Sequence, residues 1–292
     1  MKVLVIIVTY NGMRWVERCF GSLPRSEMPV DAIVIDNGST DGTPQWISEH
    51  YPDVKVIVNE KNTGFGAANN IGMRHALENG YDYVYLLNQD AWLLPDTIGK
   101  LVAVAQSAPD YGILSPIQMN DGMEEMNGLF KNRVVPSRVV RREDLWEVPF
   151  VMAAHWLVSR RAMEEAGLFS PLFHVYGEDD NYCARVLYHG MRIGVVPGAV
   201  AVHDIGDRKQ GKDRLMLRSV YTLALSRFSD PRRKPSSQLL FVVFHSFSAC
   251  LRFKSLRPLS LLADAIRDYP EAKKYRSLSM SKGAFVKDEK VV

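Results

Sequence analysis

Four short runs of β-branched and other apolar residues, at 3–8, 32–35, 54–58 and 83–87, alternate with longer amphipathic stretches, and each run stops abruptly in polar residues. Runs of this length separated by helical stretches mark βαβ units, in which a crossover helix returns the chain to lay the next strand parallel to the last. The turns agree with this pattern. Ser39-Thr40-Asp41 precedes a helical stretch at 43–50, Asn62-Thr63-Gly64 precedes one at 65–79, and Pro95-Asp96 precedes one at 96–107, each offering polar or proline residues where a helix starts. The prediction is an α/β fold, a mostly parallel sheet flanked by helices. All of these turns follow the C-terminal ends of strands, the edge at which open α/β sheets bind ligands, so their polar residues are predicted to converge on one cleft.

Periodicity lapses over 119–148, where Gly122, Gly128, Pro136 and a basic stretch at 138–142 predict an irregular insertion over the cleft. An apolar stretch to Val158, a helix over 160–166, a helix running to His189 and a strand over 192–196 follow. From Arg214 the pattern is helical, with one segment to Phe228, a break at 231–235, and a second helix carrying Phe241, Phe244, Phe247 and Leu251 at helical spacing. These patterns divide the chain into a sheet domain over 1–213 and a helical, basic C-terminal extension over 214–292.

With 47% hydrophobic and 24% charged residues, the 292-residue chain has the makeup of a folded globular protein. Its net charge of +3 is unevenly spread: residues 208–292 hold 19 Lys/Arg against 7 Asp/Glu, a net +12, and the preceding residues hold 17 against 26, a net −9. An acidic front suits a metal and substrate site. A basic tail suits an anionic surface such as a membrane or a phosphate-bearing acceptor, or is simply solvated. Cys19, Cys183 and Cys250 are widely spaced and unpaired by motif, which points away from a disulfide frame or zinc site and towards a reducing, cytoplasmic compartment. The opening residues read as a buried strand rather than a signal peptide, and no apolar stretch reaches the roughly 20 residues of a membrane span.

Four motifs follow the predicted strands. Thr9-Tyr10-Asn11 ends the first, and Asp36-Asn37-Gly38-Ser39-Thr40-Asp41-Gly42 ends the second, where Asp36 either accepts a hydrogen bond from a base or ribose or forms an Asx turn. Asn62-Thr63-Gly64-Phe65-Gly66-Ala67-Ala68-Asn69-Asn70 follows the third. It allows phosphate to approach a helix N-terminus, or else serves a tightly packed helix, and it is neither GxGxxG nor a Walker loop. Asn88-Gln89-Asp90 ends a nearly all-apolar strand, and its oxygens suit a divalent cation bridging a diphosphate, with a plain turn cap as the competitor. Further on, Glu178-Asp179-Asp180 crowds three acids at the start of a helix. Crowding keeps one carboxylate basic enough to take a proton from an attacking hydroxyl, although a helix macrodipole alone also accounts for acids there.

In this order and at these distances the motifs resemble the family 2 glycosyltransferases of the A-type fold, especially the bacterial rhamnosyltransferase-like branch, over about residues 3–230. The resemblance implies that Thr9, Asn11 and Asp36 cradle a nucleotide, joined by Asn62, Gly64 and Asn69. Asn88 stands where the family has the first carboxylate of its Asp-x-Asp metal motif, leaving Asp90 as the main ligand for Mn²⁺ or Mg²⁺, with His203 completing the site. Glu178 and Asp179 map onto the catalytic acids, Asp179 as general base, and Arg185 onto the arginine that follows them; Asn181 replaces a second aspartate of that pattern.

What the resemblance implies is inverting transfer from a nucleotide-sugar donor of UDP or dTDP type to a saccharide or lipid-linked saccharide acceptor. The setting is bacterial surface polysaccharide synthesis in the cytoplasm or peripherally on the inner face of the cytoplasmic membrane, with no nucleic-acid partner. Donor choice is expected to rest on the insertion and the surroundings of Trp156. Two alternatives stand beside this reading: a nucleotidyltransferase, and a catalytically lapsed binding scaffold suggested by the amides at Asn88 and Asn181.

Overall fold

The computed structural model describes residues 1–174, 176–205 and 211–287. Strands β1 (Val3–Thr9), β2 (Asp31–Asp36), β3 (Lys55–Val58) and β4 (Tyr83–Asn88) lie parallel in the order β3-β2-β1-β4. Helices α1 (Val16–Gly21), α2 (Thr43–His50) and α3 (Phe65–Glu78) connect them. The inner strands β1 and β4 are apolar on both faces because both faces are covered, whereas β3, at the sheet edge, is half-exposed. Along β1, Leu4 and Ile6 pack into one layer with Ile33, Ile35, Val84 and Leu86, while Val3, Val5 and Ile7 pack into the other with Val34, Tyr85 and Leu87. Each such aliphatic side chain stabilises the fold by about 1.5–3 kcal/mol when fully buried, so the register is strongly specified.

The sheet continues through β5 (Ala91–Leu93), β6 (Tyr111–Met119), β7 (Val139–Arg142), β8 (Leu145–Glu147), β9 (His155–Ser159) and β10 (Arg192–His203). Helix α4 (Thr97–Ser107) lies between β5 and β6. The full order is β3-β2-β1-β4-β9-β6-β10-β8-β7, with β5 pairing on β10; β9 lies antiparallel between β4 and β6, and β6 and β10 are parallel. The result is a mixed sheet of mostly parallel strands. The expected irregular insertion is more regular than its composition suggested. It contains α5 (Gly128–Arg133), capped by Asn127, and a β7–β8 hairpin that extends the sheet edge along β10. Polar, charged strands are hard to read where one partner is a sheet edge and the other face meets water. The strand over 192–196 likewise runs on to His203, because a bulge between Val196 and Val200 lets β10 keep pairing with β6 across Pro197 and Gly198.

Helices α6 (Arg160–Glu165) and α7 (Glu178–Tyr188) complete this body. The helical part comprises α8 (Lys212–Leu217), a π-helical turn at Arg218–Thr222, α9 (Leu223–Ser229), α10 (Pro235–Phe253), α11 (Arg257–Arg267) and α12 (Tyr269–Ser279). Its core of Met216, Val220, Phe228, Val242 and Leu261 includes Phe173, contributed by the loop before α7. The chain then returns to the sheet domain. Leu168 donates to the Ala284 carbonyl at 2.8 Å, Arg74 donates to the carbonyls of Phe285 and Val286, and a Cβ on Gly167 would collide with Ala284. The helical part is therefore clamped to the body at both ends and supports the acid loop from behind. Among the described residues no helix is long and apolar enough to cross a membrane. Phe244, Phe247 and Leu251 are 64%, 54% and 82% exposed, so this stripe does not pack against the sheet domain, while Phe241 stacks on His245 and under Arg227.

Candidate functional site

Strand order reverses between β1 and β4, and the loops that leave the C-terminal ends of β1 to β4 meet there. They are tied to one another by side chains. Asp36 is fully buried, and its carboxylate accepts from Thr9 Oγ1 (2.7 Å), Ser39 Oγ (2.6 Å) and the backbone N–H groups of Gly38 and Ser39. Asn37, also buried, accepts from Asn59 and Thr63 and donates to the Gly64 carbonyl. Gln89 holds both the N–H and the carbonyl of Tyr10, and a Cβ on Gly12 would strike the Gln89 amide, which is why glycine stands there. Asn11 sits in left-handed backbone at φ 48°, exposed, with its Oδ1 accepting from Thr40 N–H.

Thr9 and Asp36 bond to each other and to the loop after β2, where Asp36 Oδ1 accepts from the N–H groups of Gly38 and Ser39 in an Asx turn. Asn69 is buried and donates to Phe65 O one turn back. Gly64, at φ 88°, lies beneath the His174 carbonyl, which a Cβ would approach to 2.5 Å, and Asn62 Oδ1 caps its N–H. Gly66 and Gly72 let α3 pack on Phe169 and Ile6, where added Cβ atoms would come within 2.9 and 2.7 Å. The small residues of this segment thus serve packing and the crossing of the acid loop. Trp156 is fully buried in a ring cluster with Phe169 and Tyr182 and is a core residue, with no surface to offer a donor.

Asp90 and His203 do come together. The antiparallel register of β5 on β10 sets His203 opposite Ala91, which brings His203 Nε2 to 3.7 Å from Asp90 Oδ2 with both side chains nearly buried. His203 Nδ1 and the neighbouring Asn88 Oδ1 are buried atoms without a hydrogen-bond partner among the described residues. Among the same residues no third His, Cys, Asp or Glu completes a cage. A carboxylate, an imidazole and a spare amide oxygen fit a hard divalent cation that takes its remaining ligands from phosphate and water. Behind them His155 is buried between Tyr85 OH (2.8 Å) and Val202 O (2.9 Å), and burial drives its pKa down to about 3, so it is a neutral brace.

The acids stand on the first turn of α7 after Gly177, whose φ of 92° and close neighbours Phe173 and Thr222 exclude a side chain. They border the first turn of α3: a Cβ on Gly66 would lie 3.7 Å from Glu178 Cβ. Asp180 pairs with Arg133 of α5, whose guanidinium also stacks on Phe150 at 3.5 Å. Burial raises the proton affinity of all three carboxyls; Asp179's charge raises Glu178 further, Asp180's charge raises Asp179 further, and Arg133 pulls Asp179 and Asp180 back down. Glu178 Oε2 is buried without a hydrogen-bond partner among the described residues. Arg185 plays a supporting part. It is fully buried, donates to Asn181 Oδ1 (3.1 Å), Ala166 O (2.5 Å) and Leu168 O, and desolvation pulls it down to about 10. Asn181 joins it to Ser229, so an amide at that position is accounted for by structure. The residues that sequence reasoning passed over are Asn37, Gln89, Arg133 and His155. The first two lie inside quoted motifs, whereas Arg133 and His155 carry no local signal.

The model of glycosyl transferase family 2 matches residues 4–167, the segment that holds the sheet's switch point and the Asn88-Gln89-Asp90 turn. The chain belongs to this family. Among curated relatives of this glycosyltransferase is the N-acetylglucosaminyl-diphospho-decaprenol L-rhamnosyltransferase of Mycobacterium tuberculosis, 30% identical over 229 residues, covering 68% of this chain and 75% of the relative. A second is the low-salt glycan biosynthesis hexosyltransferase Agl10 of Haloferax volcanii, 25% identical over 209 residues, 68% of this chain and 66% of that one. Solved structures share its A-type fold. S. aureus TarS 1–349 in complex with UDP-GlcNAc superposes with a TM-score of 0.64 at 16% identity, covering 96% of this chain and 84% of that one. Mannosyltransferase PcManGT from Pyrobaculum calidifontis, in complex with GDP-Man and Mn²⁺, gives 0.63 at 21% identity, covering 94% and 84%. Against a longer TarS chain, this glycosyltransferase spans 50% of the length.

Proposed function

We propose that the protein is an inverting glycosyltransferase that moves a sugar from a nucleotide-sugar donor of UDP or dTDP type onto a hydroxyl of a lipid-linked saccharide, in the synthesis of a bacterial surface polysaccharide. One observation carries this reading: Glu178, on the acid turn of α7, packs against Gly66 in the first turn of α3, which sets carboxyls of raised proton affinity beside the cleft at the C-terminal ends of the strands. The donor's nucleotide lies on the backbone of the loops that Thr9, Asp36, Asn37 and Asn62 shape, with Asn11 and Asn88 offering side-chain amides. Asp90 and His203 would hold Mn²⁺ or Mg²⁺, whose charge stabilises the departing diphosphate.

Asp179 then accepts the proton of the acceptor hydroxyl as its oxygen attacks the anomeric carbon from the face opposite the leaving group. The new C–O bond forms as the bond to the nucleoside diphosphate breaks, inverting the centre. Burial makes Asp179 a stronger base than a solvated aspartate, and Arg133 keeps it from staying protonated. Glu178, pushed higher still, holds its proton more firmly and limits the negative charge that Asp179 faces.

The lipid-linked acceptor is supported by the name of the M. tuberculosis relative, an N-acetylglucosaminyl-diphospho-decaprenol L-rhamnosyltransferase, and by α10. On that helix Leu240, Phe244, Phe247 and Leu251 form an exposed stripe, with Lys234 at one end and Arg252 and Lys254 at the other, opposite a buried face of Gln238, Val242, Ser246 and Ala249. We assign this face to peripheral contact with anionic lipid at the inner surface of the cytoplasmic membrane. The scaffold alternative loses its support at Asn181, whose amide is structural. Substituting Asp179→Asn should lower turnover by roughly 10² or more with donor affinity held within a few-fold. An active Asp179→Asn beside an inactive Glu178→Gln would exchange their roles.

A further inference from the structure

Two cations share one ring beside the acids. The guanidinium carbons of Arg214 and Arg218 lie 5.1 and 4.6 Å from the centre of the Tyr176 ring. They are one turn apart on α8 and the π turn, a spacing at which like charges repel. Among the described residues neither has a carboxylate within 4 Å, and Asp213, next to Arg214, is turned to Arg257 at 2.5 Å. Arg218 nonetheless lies close enough to Glu178, Asp179 and Asp180 for its charge to act on all three.

The setting is costly to hold in place. Tyr176 has left-handed backbone at φ 66°, unfavourable for an aromatic residue, and the following Gly177 is wedged against Phe173 and Thr222, the last residue of the π turn. Single π turns inside α-helices are frequent at functional sites. Two fork-shaped donors stacked on one ring, repelling each other and with no carboxylate in contact among the described residues, match the several oxygens of a diphosphate.

We propose that Arg214, Tyr176 and Arg218 form a clamp for a diphosphate, and that the diphosphate is the acceptor's. The clamp is on the side of the acids that activate the acceptor hydroxyl, whereas the donor's diphosphate belongs with Asp90 and His203. This assignment rests on the lipid-linked acceptor argued above; the diphosphate chemistry of the clamp does not.

The test is calorimetric binding of inorganic pyrophosphate to the full chain, with and without a saturating nucleoside diphosphate in the donor site. The wild type should bind pyrophosphate in both conditions, and Arg214→Met/Arg218→Met should weaken binding tenfold or more, with Arg218→Lys in between. The exposed single change Arg214→Met, with circular dichroism unchanged, guards against a folding defect and should weaken binding by several-fold. Loss of pyrophosphate binding whenever the nucleoside diphosphate is present would give the clamp to the donor and overturn the acceptor assignment. Equal affinity in wild type and both Met variants would overturn the clamp itself. Absence of transfer to any lipid-linked acceptor would remove the acceptor reading while leaving the pyrophosphate result to stand alone.

Discussion

Arg133→Met separates a charge effect on the base from a structural one. Arg133 is the cation paired with Asp180, and the methionine keeps apolar contact with Phe150 while removing the charge. In contact at an effective dielectric of about 20, such a pair interacts by ~4 kcal/mol. The two side chains are 41% and 37% exposed, so solvent cuts this to the ~0.2–1 kcal/mol measured for exposed pairs. At 1.36 kcal/mol per pH unit this is about 0.15–0.7 of a unit for Asp180 in contact, and Asp179, which Arg133 also holds down through its charge, should gain proton affinity by no more than that.

The sign follows from the role of Asp179. A base works ionised, so turnover rises as pH climbs through its folded pKa, and raising that pKa moves the rise towards alkali. The assay is kcat/KM for nucleoside diphosphate release between pH 5 and 9. The variant should be slower than the wild type at low pH, by up to about fivefold, and equal to it on the alkaline plateau. A curve scaled by one factor at every pH, or one that does not move, would refute the electrostatic role of Arg133 and with it the assignment of Asp179.

Two further outcomes follow from the same residues. The Glu178 carboxyl is raised by burial and by Asp179, so its folded pKa exceeds the unfolded value and stability is lost as pH rises from the unfolded pKa through the folded one. Glu178→Gln should therefore raise Tm at pH 7–8, by about 2–4 °C per kcal/mol relieved, and leave it unchanged near pH 3, below both the unfolded and the folded pKa; the same change in Tm at both pH values would contradict this. In vesicle co-sedimentation the wild type should bind anionic lipid at low salt, release at high salt and ignore neutral lipid. Phe244→Asp/Leu251→Asp should abolish that binding, and equal binding to both lipids, or none to either, would remove the membrane assignment.

The front half of the fold was legible because each strand there is apolar on both faces and each turn carries its own chemistry: the runs at 3–8 and 83–87 became β1 and β4 within a residue or two. Convergence of Asp90 with His203 was legible only as a resemblance, since it depends on the β5–β10 register across more than a hundred residues. What Asp36, Gly64 and Asn69 do was not legible. A carboxylate that ends an apolar strand looks the same whether it faces a ligand or its own loop, and the need for glycine at 64 comes from His174, a distant residue. Arg133 went unseen for a similar reason, lying in an insertion without periodicity while its partner Asp180 is supplied by another helix.

Metal-dependent turnover of the donor is the central claim. Purified wild-type protein should release nucleoside diphosphate from at least one member of a panel of UDP-, dTDP- and GDP-sugars, only when Mn²⁺ or Mg²⁺ is supplied, and Asp90→Ala should lose that dependence together with at least 10²-fold of the rate while keeping its fold by circular dichroism. Release that is as fast in Asp90→Ala as in the wild type, at saturating donor and with or without the cation, would contradict it.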